Sequence, residues 1–293
     1  MKQFLRHIFK SSFSIVSVVV VIIFWTAVSY FVVNASIELY GSEDEEEITP
    51  IESVDNTKEK CNVFGIRLYG EVVTYFSLDL FDTEGNLTVS QTSSSEVRSI
   101  IKKAEEDDTV KYVVVEVDSP GGSPVAGLEM MNALKKSKKP VVVFGRGVMA
   151  SAAYMAATGA QTIFASPFTD VGSIGVTASY LDNTAKNKKD GLTYVDLSVG
   201  KYKDTFNPDR PLTSDEKILI MRDVNLIHEG FIKTVAENRK LDIAKVRQLA
   251  DGSTMLGEAA VKNGLIDRVG DIYDVESFLE EEMGKKPDIC WQN

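Results

Sequence analysis

The chain has 293 residues, of which 32 are basic and 43 are acidic, giving a formal net charge of −11. An acidic chain of this kind does not bind nucleic acid through bulk charge. It contains two cysteines and two histidines, too few to build a zinc site of the usual ligands, so we expect chemistry that needs no metal or other cofactor.

A long uncharged segment lies near the start of the chain. Residues 13–34 are mostly β-branched and aromatic, and a helix of this length, at about 1.5 Å per residue, spans the apolar core of a bilayer. The apolar part of a cleaved signal peptide is usually shorter, so we expect an uncleaved transmembrane helix. Because Lys2, Arg6 and Lys10 precede it, residues 1–12 are expected in the cytoplasm and the rest of the chain outside it, at the plasma (inner) membrane.

Residues 35–60 are predicted to be a solvated tether. They contain an uninterrupted acidic run at 43–47, no large apolar cluster, and Pro50, a composition typical of segments without a packed core. Residues 61–293 have no internal repeat and no break in composition, so we predict that they form one domain.

Strand and helix patterns alternate through this domain. Strands are predicted at residues 63–69, 72–75, 112–117, 140–144, 162–165, 174–177 and 193–197, and helices at 95–106, 125–136 and 150–158. A long helix is predicted to begin near Thr213, since Thr213 and Glu216 have the spacing of a capping box. The alternation predicts an α/β domain with a largely parallel sheet.

The long helix carries one apolar stripe. Ile220, Val224, Ile227, Phe231 and Val235 recur at helical spacing, which is typical of a face packed in the core. We therefore expect this stripe to be buried.

Two junctions between a strand and a helix are candidates for the chemistry. At the first, Gly121 and Gly122 leave backbone N–H groups open to a ligand that a Cβ would obstruct. At the second, Ser151 begins a helix of small residues, whose N-terminus stabilises negative charge. Each junction also has a simpler interpretation, as a structural glycine turn and as an N-cap serine.

A serine nucleophile needs a base to accept its proton. His228 is the one histidine outside the N-terminal segment and lies on a packing helix, so we interpret it as a structural or surface residue and not as part of a Ser-His-Asp triad. The remaining candidate is a lysine held neutral by burial, which lowers a lysine pKa. Lys201 and Lys203 both fit, and the residue pattern does not choose between them.

Five motifs occur in a fixed order along residues 62–281. They are Ser119-Pro120-Gly121-Gly122, Val148-Met149-Ala150-Ser151-Ala152-Ala153-Tyr154, Val171-Gly172-Ser173-Ile174-Gly175-Val176, Gly200-Lys201-Tyr202-Lys203-Asp204, and the stretch from Ala250 to Asp267. Together they resemble the signal peptide peptidase A family of membrane-anchored serine proteases, in its short single-domain form. That family is related in fold to the Clp protease subunit and the crotonases, so the resemblance implies a ClpP/crotonase-like spiral core with a parallel sheet and flanking helices.

The resemblance also implies roles for particular residues. Ser151 would be the nucleophile, Lys203 the general base, and Ser173 the residue that orients the lysine amine. Backbone N–H groups of Gly122 and Ala152 would form the oxyanion hole. We further expect Asp204 to point away from Lys203, because an ion pair between them would keep the lysine protonated.

The sequence departs from the family pattern in two places. Ala152 and Ala153 stand where the family has two glycines, and Ser253 to Met255 replace an Arg-Val-Trp-like element. Because the oxyanion donor is a backbone N–H, alanine supplies it as well as glycine does, but each added methyl group reduces the room left for substrate. Neither departure removes a catalytic side chain.

The function implied is a membrane-anchored serine endopeptidase with a Ser/Lys dyad. It would cleave hydrophobic peptides, such as released signal peptides and unfolded segments, outside the cytoplasm, and assemble as a homo-oligomer of four or eight subunits. One alternative is a catalytically silent, membrane-tethered binding or assembly protein of the same fold. A second is an acyl-CoA enzyme of the crotonase type, which would need neither the anchor nor the Ser/Lys pair.

The two cysteines lie at opposite ends of the domain. Cys61 and Cys290 could form a disulfide outside the cytoplasm, but nothing in their spacing indicates a disulfide framework. We therefore expect two unpaired thiols.

Overall fold

The computed structural model describes residues 25–30, 61–76 and 90–292. The chain divides into two compact units, Met1–Lys58 and Glu59–Asn293. Within the first unit the described residues 25–30 are helical. No helix among the described residues has both the length and the apolar character needed to cross a membrane. Most of the predicted transmembrane segment and the whole of the predicted tether and cytoplasmic tip lie outside the described residues.

The second unit alternates strands and helices along the chain. Its strands are β1 (Val63–Val73), β2 (Gln91–Ser93), β3 (Tyr112–Gly122), β4 (Val141–Ala150), β5 (Thr162–Ala165), β6 (Asp170–Gly172), β7 (Thr254–Leu256), β8 (Arg268–Val269) and β9 (Ile289–Trp291). Its helices are α1 (Ser94–Glu106), α2 (Pro124–Lys136), α3 (Ser151–Ala157), α4 (Thr184–Lys189), α5 (Ser214–Arg239), α6 (Ile243–Leu249), α7 (Gly257–Asn263) and α8 (Ile272–Met283).

The strands form one mostly parallel sheet in the order β2-β1-β3-β4-β5-β8. β9 adds in parallel to β1, and β6 pairs in parallel with β4 and antiparallel with β7. The larger buried cluster packs one face of the sheet against α1, α2, α3 and part of α5, and the smaller one lies under α8 on the other face. The predicted α/β fold with a parallel sheet and flanking helices is therefore confirmed.

The central strands extend further than the sequence pattern predicts. β1 joins the two predicted strands through an irregularity at Gly70 and ends at Val73, two residues before the predicted end. β3 continues to Gly122 and β4 to Ala150. Both chemical junctions consequently lie at the carboxyl ends of neighbouring strands. In an open parallel sheet this edge is where ligands bind.

Two predicted strands are wrong. Pairing of β6 ends at Gly172, and Ser173 then takes a left-handed backbone conformation with φ +48°, so residues 174–177 leave the sheet. Residues 193–197 are exposed and pair with no described strand, although their side chains are typical of a strand. Tertiary pairing overrides propensity in both cases.

The long helix begins as predicted, but its stripe is only partly buried. Thr213 and Glu216 form the capping box at the start of α5. Phe231 and Val235 are buried in the core, whereas the residues nearer the start of the stripe are half-buried or exposed. The first half of α5 therefore extends beyond the core, and the expectation of a fully buried stripe is wrong for Ile220, Val224 and Ile227.

The cysteines are bonded, which corrects the expectation of free thiols. Cys61 and Cys290 form a disulfide with Cα atoms 5.8 Å apart. The bond becomes possible because β9 pairs with the start of β1, with Cys290 opposite Phe64. This pairing joins residues 229 positions apart, a proximity that the spacing along the chain does not reveal.

Candidate active site

Ser151 lies at a sharp turn between β4 and α3. Ala150 before it is extended, with φ −126°, whereas Ser151 itself has φ +51°. A left-handed conformation is uncommon for a residue with a side chain, and such strain concentrates at functional sites. Among the described non-glycine residues the others with positive φ are Ser173, Phe206 and Lys240, of which Lys240 is the C-cap of α5.

The glycine turn at the end of β3 lies directly against Ser151. Gly121 has φ +107°, and a Cβ built on it would lie 2.7 Å from Ser151 Cβ and 2.9 Å from Ala152 N. The buried Ser119 side chain fixes the turn, because its Oγ donates to Gly70 O and accepts from Gly121 N–H (3.1 Å). Only glycine permits this approach of the two strand ends.

Ser151 opens onto a cleft of about 880 Å³. One side of the cleft is built from the strand ends and the start of α3, and the other from the first half of α5. Ser173 and Phe206 line the same cleft, so three of the four strained residues meet there. The cleft is also lined by Gly122, Ala152, Met155, Thr205, Ile220, Asp223, Val224, Asn225, Ile227, His228, Phe231 and Asp251.

Ser173 is held by the segment that precedes β7. Its Oγ donates to Gly252 O (2.9 Å), and its N–H donates to Ser253 O (2.9 Å). Ser173 is half-buried and brought into one cleft with Ser151. Its role in orienting a lysine stays a prediction.

The two candidate lysines differ in their surroundings. Lys201 Nζ donates to Asp215 Oδ2 at 2.6 Å, and this hydrogen bond raises the pKa of Lys201. The side chain of Lys203 is exposed and forms no ion pair within the described part of the chain. Lys203 does not itself line the cleft, but Thr205 and Phe206, two and three residues later, do. The fold thus brings the Lys203 turn to the cleft without seating its amine beside Ser151.

A charged network attaches this turn to the start of α5. Arg210 Nε donates to Asp204 Oδ2 (2.8 Å), and its Nη2 donates to Glu216 Oε1 (2.6 Å). Thr205 Oγ1 also donates to Glu216. Asp204 therefore pairs with Arg210, and among the described residues it forms no ion pair with Lys203, as predicted.

The network also depends on pH. Hydrogen bonds from Asn207 and Arg210 hold the pKa of Asp204 below its usual value, and those from Arg210 and Thr213 hold the pKa of Glu216 well below its own. A depressed folded-state pKa contributes stability above the unfolded-state pKa, and this stability is lost as pH falls through the folded-state value. The attachment of the turn is therefore fully present at neutral pH.

The two alanines after Ser151 are accommodated by the neighbouring helix. A Cβ on Gly127 of α2 would lie 3.0 Å from the Ala152 Cβ and 2.7 Å from Ala152 O. Ala152 and Ala153 are both buried, so much of the added methyl volume is taken up by packing. As the second residue of α3, Ala152 has an N–H that no intrahelical acceptor can reach.

His228 lines the cleft, which the sequence interpretation did not anticipate. It is half-buried on α5, and its Nε2 is fully buried with no hydrogen-bond partner among the described residues. The sequence did contain one indication of this position. His228 lies three residues before Phe231, and residues at this spacing share one face of a helix. Nowhere in the described ranges do three or more His, Cys, Asp or Glu side chains group as metal ligands.

Comparisons with known proteins place the chain in a family. The sequence profile of Peptidase family S49 matches residues 133–286, and that of the Clp protease matches residues 84–171. A protein of Methanocaldococcus jannaschii assigned as a protease is 38% identical over 185 residues, which cover 62% of this chain and 60% of the relative. A protein of Enterococcus faecium assigned as the signal peptide peptidase SppA is 32% identical over 247 residues, 83% of this chain and 69% of the relative.

The fold is also found among solved structures. A membrane-bound stomatin-specific protease in complex with a substrate peptide superimposes with a TM-score of 0.53 at 17% identity, over 80% of this chain and 93% of that one. This likeness concerns the fold alone. Together with the match of the Clp protease profile to residues 84–171, it supports the ClpP-like architecture. The family match over residues 133–286 includes Ser151, Ser173 and Lys203. The chain therefore belongs to Peptidase family S49, which confirms the family and the serine-peptidase class that its motifs predict.

Proposed function

We propose that this chain is a membrane-anchored serine endopeptidase that uses Ser151 and Lys203 to cleave apolar peptides, such as released signal peptides, outside the cytoplasm. The observation that carries the proposal is the strained turn at Ser151, which opens onto a largely apolar cleft. A nucleophilic serine on a sharp turn between a strand and a helix is exposed for attack while the adjoining backbone N–H groups face the developing oxyanion.

The proposed reaction proceeds through an acyl-enzyme. Ser151 Oγ attacks the peptide carbonyl, and neutral Lys203 takes the hydroxyl proton and passes it to the leaving amine as the C–N bond breaks. Water then attacks the ester, with its proton moving through Lys203 back to Ser151. Gly122 and Ala152 N–H groups would stabilise the tetrahedral oxyanion in both steps.

Lys203 is favoured over Lys201 as the base. The ion pair with Asp215 stabilises the protonated form of Lys201, which is the wrong form for accepting a proton. Arg210 engages Asp204, so the carboxylate next to Lys203 in the sequence is already paired. For catalysis the exposed Lys203 side chain has to turn toward Ser151 and lose contact with water, since desolvation lowers a lysine pKa.

Assembly with further copies of the chain would supply that desolvation. Residues 176–209, here called the arm, precede α5 and expose several apolar side chains. Its largely exposed apolar side chains are Leu181, Leu192, Tyr194, Val195, Leu197, Val199, Tyr202 and Phe206. Exposed apolar side chains grouped in one segment are typical of a protein interface, and Lys203 belongs to the same segment.

The arm predicts self-association that can be broken at chosen positions. We expect the full-length chain to be oligomeric in light scattering, and Leu197→Lys with Val199→Lys to make it monomeric and to reduce peptide hydrolysis. Both side chains are more than 90% exposed, so their replacement leaves the folded core intact. Tyr273→Lys, at an exposed position on α8, is the matched control. A monomeric parent chain, or an oligomer that survives the double substitution, would contradict this part of the proposal.

The location outside the cytoplasm rests on two features. The basic residues before the apolar run orient it by the positive-inside rule, and the disulfide between Cys61 and Cys290 is a bond that persists in oxidising compartments. Both support a catalytic domain exposed beyond the membrane.

The test of the proposed function is the capture of the acyl group. The full-length chain incubated with a synthetic apolar signal peptide and glycinamide should give both hydrolysed product and peptide–glycinamide adduct in mass spectrometry, because an ester intermediate partitions between water and amine. Cleavage without adduct would exclude the acyl-enzyme. Peptide binding with no cleavage would favour the alternative, a catalytically silent binding protein.

A further inference from the structure

The first half of α5 forms an apolar wall along the cleft. Ile220, Val224 and Ile227 line it on the solvent side, and the buried Phe231 and Met155 close its inner end. Ile220, Val224 and Ile227 do not pack in the core, so their apolar surface is available to whatever enters the cleft. Burial of an apolar ring against them would be favourable in proportion to the area removed from water.

His228 lies in this wall between Val224 and Phe231 and also lines the cleft. Its Nε2 is buried and has no hydrogen-bond partner among the described residues. A buried polar atom without a partner is unfavourable by an amount comparable to a lost hydrogen bond. When a ligand enters, the half-buried imidazole has to turn its Nε2 toward the cleft to meet it. A ligand that then supplies the missing partner gains affinity relative to one of the same shape that does not.

The charges around the cleft restrict what that partner can be. Asp223 and Asp251 line the cleft, and no lysine or arginine does among the described lining residues. Glu229, next to His228, is held in a bidentate ion pair by Arg247. A carboxylate on the substrate would meet two like charges, so a neutral group is preferred.

We propose that His228 is a specificity-determining residue that hydrogen-bonds the hydroxyl group of a substrate tyrosine. The inference rests on the proposed peptidase function and deepens it by naming a side chain. The phenol ring packs against the apolar wall, while its hydroxyl both donates and accepts, so it satisfies Nε2 in either imidazole tautomer. Phenylalanine fits the same wall but leaves Nε2 unpaired.

The experiment compares two isosteric peptides on the full-length chain. An apolar peptide carrying Tyr at the position next to the scissile bond, and its Phe counterpart, are assayed as a pair, and the pair is then moved position by position. At one position we expect kcat/KM to favour Tyr by about 3- to 10-fold, the range that one neutral hydrogen bond supports.

Variants separate the imidazole from the rest of the wall. His228→Phe should abolish or reverse the Tyr preference with little change toward the Phe peptide, and His228→Gln should retain part of it, because an amide also donates and accepts. Asn225→Ala, which removes another polar side chain of the cleft, should leave the preference unchanged. No Tyr preference at any position in the parent chain, or the same preference after His228→Phe, would overturn the proposal.

Binding to the Ser151→Ala variant tests His228 without catalysis. If the chain proves not to cleave peptides, the Tyr peptide should still bind about 3- to 10-fold more tightly than the Phe peptide, and the difference should vanish on His228→Phe. Equal binding of the two peptides would reject the role of His228 while leaving the proposed function standing.

Discussion

Replacement of Ser151 by alanine should lower the rate of peptide hydrolysis by at least about a thousandfold, because removing the nucleophile of an acyl-transfer enzyme leaves only binding and oxyanion stabilisation. The change is small in volume, and Ser151 is half-buried at a turn, so folding should be retained. The measurement is kcat for an apolar signal peptide on the full-length chain, with the melting temperature recorded alongside.

A distant serine supplies the control. Ser277 is exposed on α8, where its hydroxyl donates to Tyr273 O (2.8 Å), and Ser277→Ala should hydrolyse peptide at the parent rate. If Ser151→Ala keeps more than a few per cent of the parent activity in a folded protein, another residue is the nucleophile.

Lys203 and Lys201 can be compared to test which lysine is the general base. Lys203→Ala should reduce kcat to a similar extent, and Lys203→Arg should not rescue it, because a guanidinium does not give up its proton in a protein. Lys201→Ala removes a surface ion pair with Asp215 and should change kcat little. Equal losses of kcat in the two variants would indicate a structural role for the turn. A loss of kcat confined to Lys201→Ala would show that Lys201, and not Lys203, is the base.

The sequence predicts the local structure of this chain better than it predicts the contacts between distant segments. Strand and helix alternation is local information, so it predicts the parallel sheet and places Ser151 at a strand-to-helix junction. The glycine turn at Gly121 is likewise readable, since the close approach that it permits requires a residue without Cβ. Both features depend on the type of residue at one position, so the sequence alone is enough to predict them.

Contacts between distant segments are a different matter. The strand-like composition of residues 193–197 predicts pairing, but a strand forms only where a neighbouring edge is available, and no described strand supplies one. His228 has the spacing of a core residue, yet it lies in a cleft because the first half of α5 extends past the sheet. Periodicity in the sequence also does not show that its Nε2 lacks a hydrogen-bond partner among the described residues.

The disulfide should raise the stability of the catalytic unit substantially. It joins residues 229 positions apart, and the chain-entropy relation gives about 5 kcal/mol for closing a loop of that length. For a domain of this size the corresponding change in melting temperature is on the order of 10 °C. We expect Cys61→Ser with Cys290→Ser, or reduction of the parent chain, to lower the melting temperature by that order. Reductant should have no effect on the double variant, and a parent chain unaffected by reductant would contradict the prediction.

A local opening would give a smaller change in melting temperature and a distinct signal. β9 has only three residues paired to β1, and it carries Trp291, whose ring lies over Gly65 so closely that a Cβ there would be 2.4 Å away. The Arg67 guanidinium also lies over the Trp291 ring, with its central carbon 4.7 Å from the ring centroid. Loss of the disulfide leaves these contacts and the short ladder to hold β9. If these contacts do not hold β9 in place, reduction should shift the fluorescence emission of Trp291 to the red at temperatures below the melting temperature. Peptide hydrolysis should persist, because Ser151 lies at the opposite ends of the strands. An unchanged emission together with a lowered melting temperature would show that the disulfide acts on global unfolding alone.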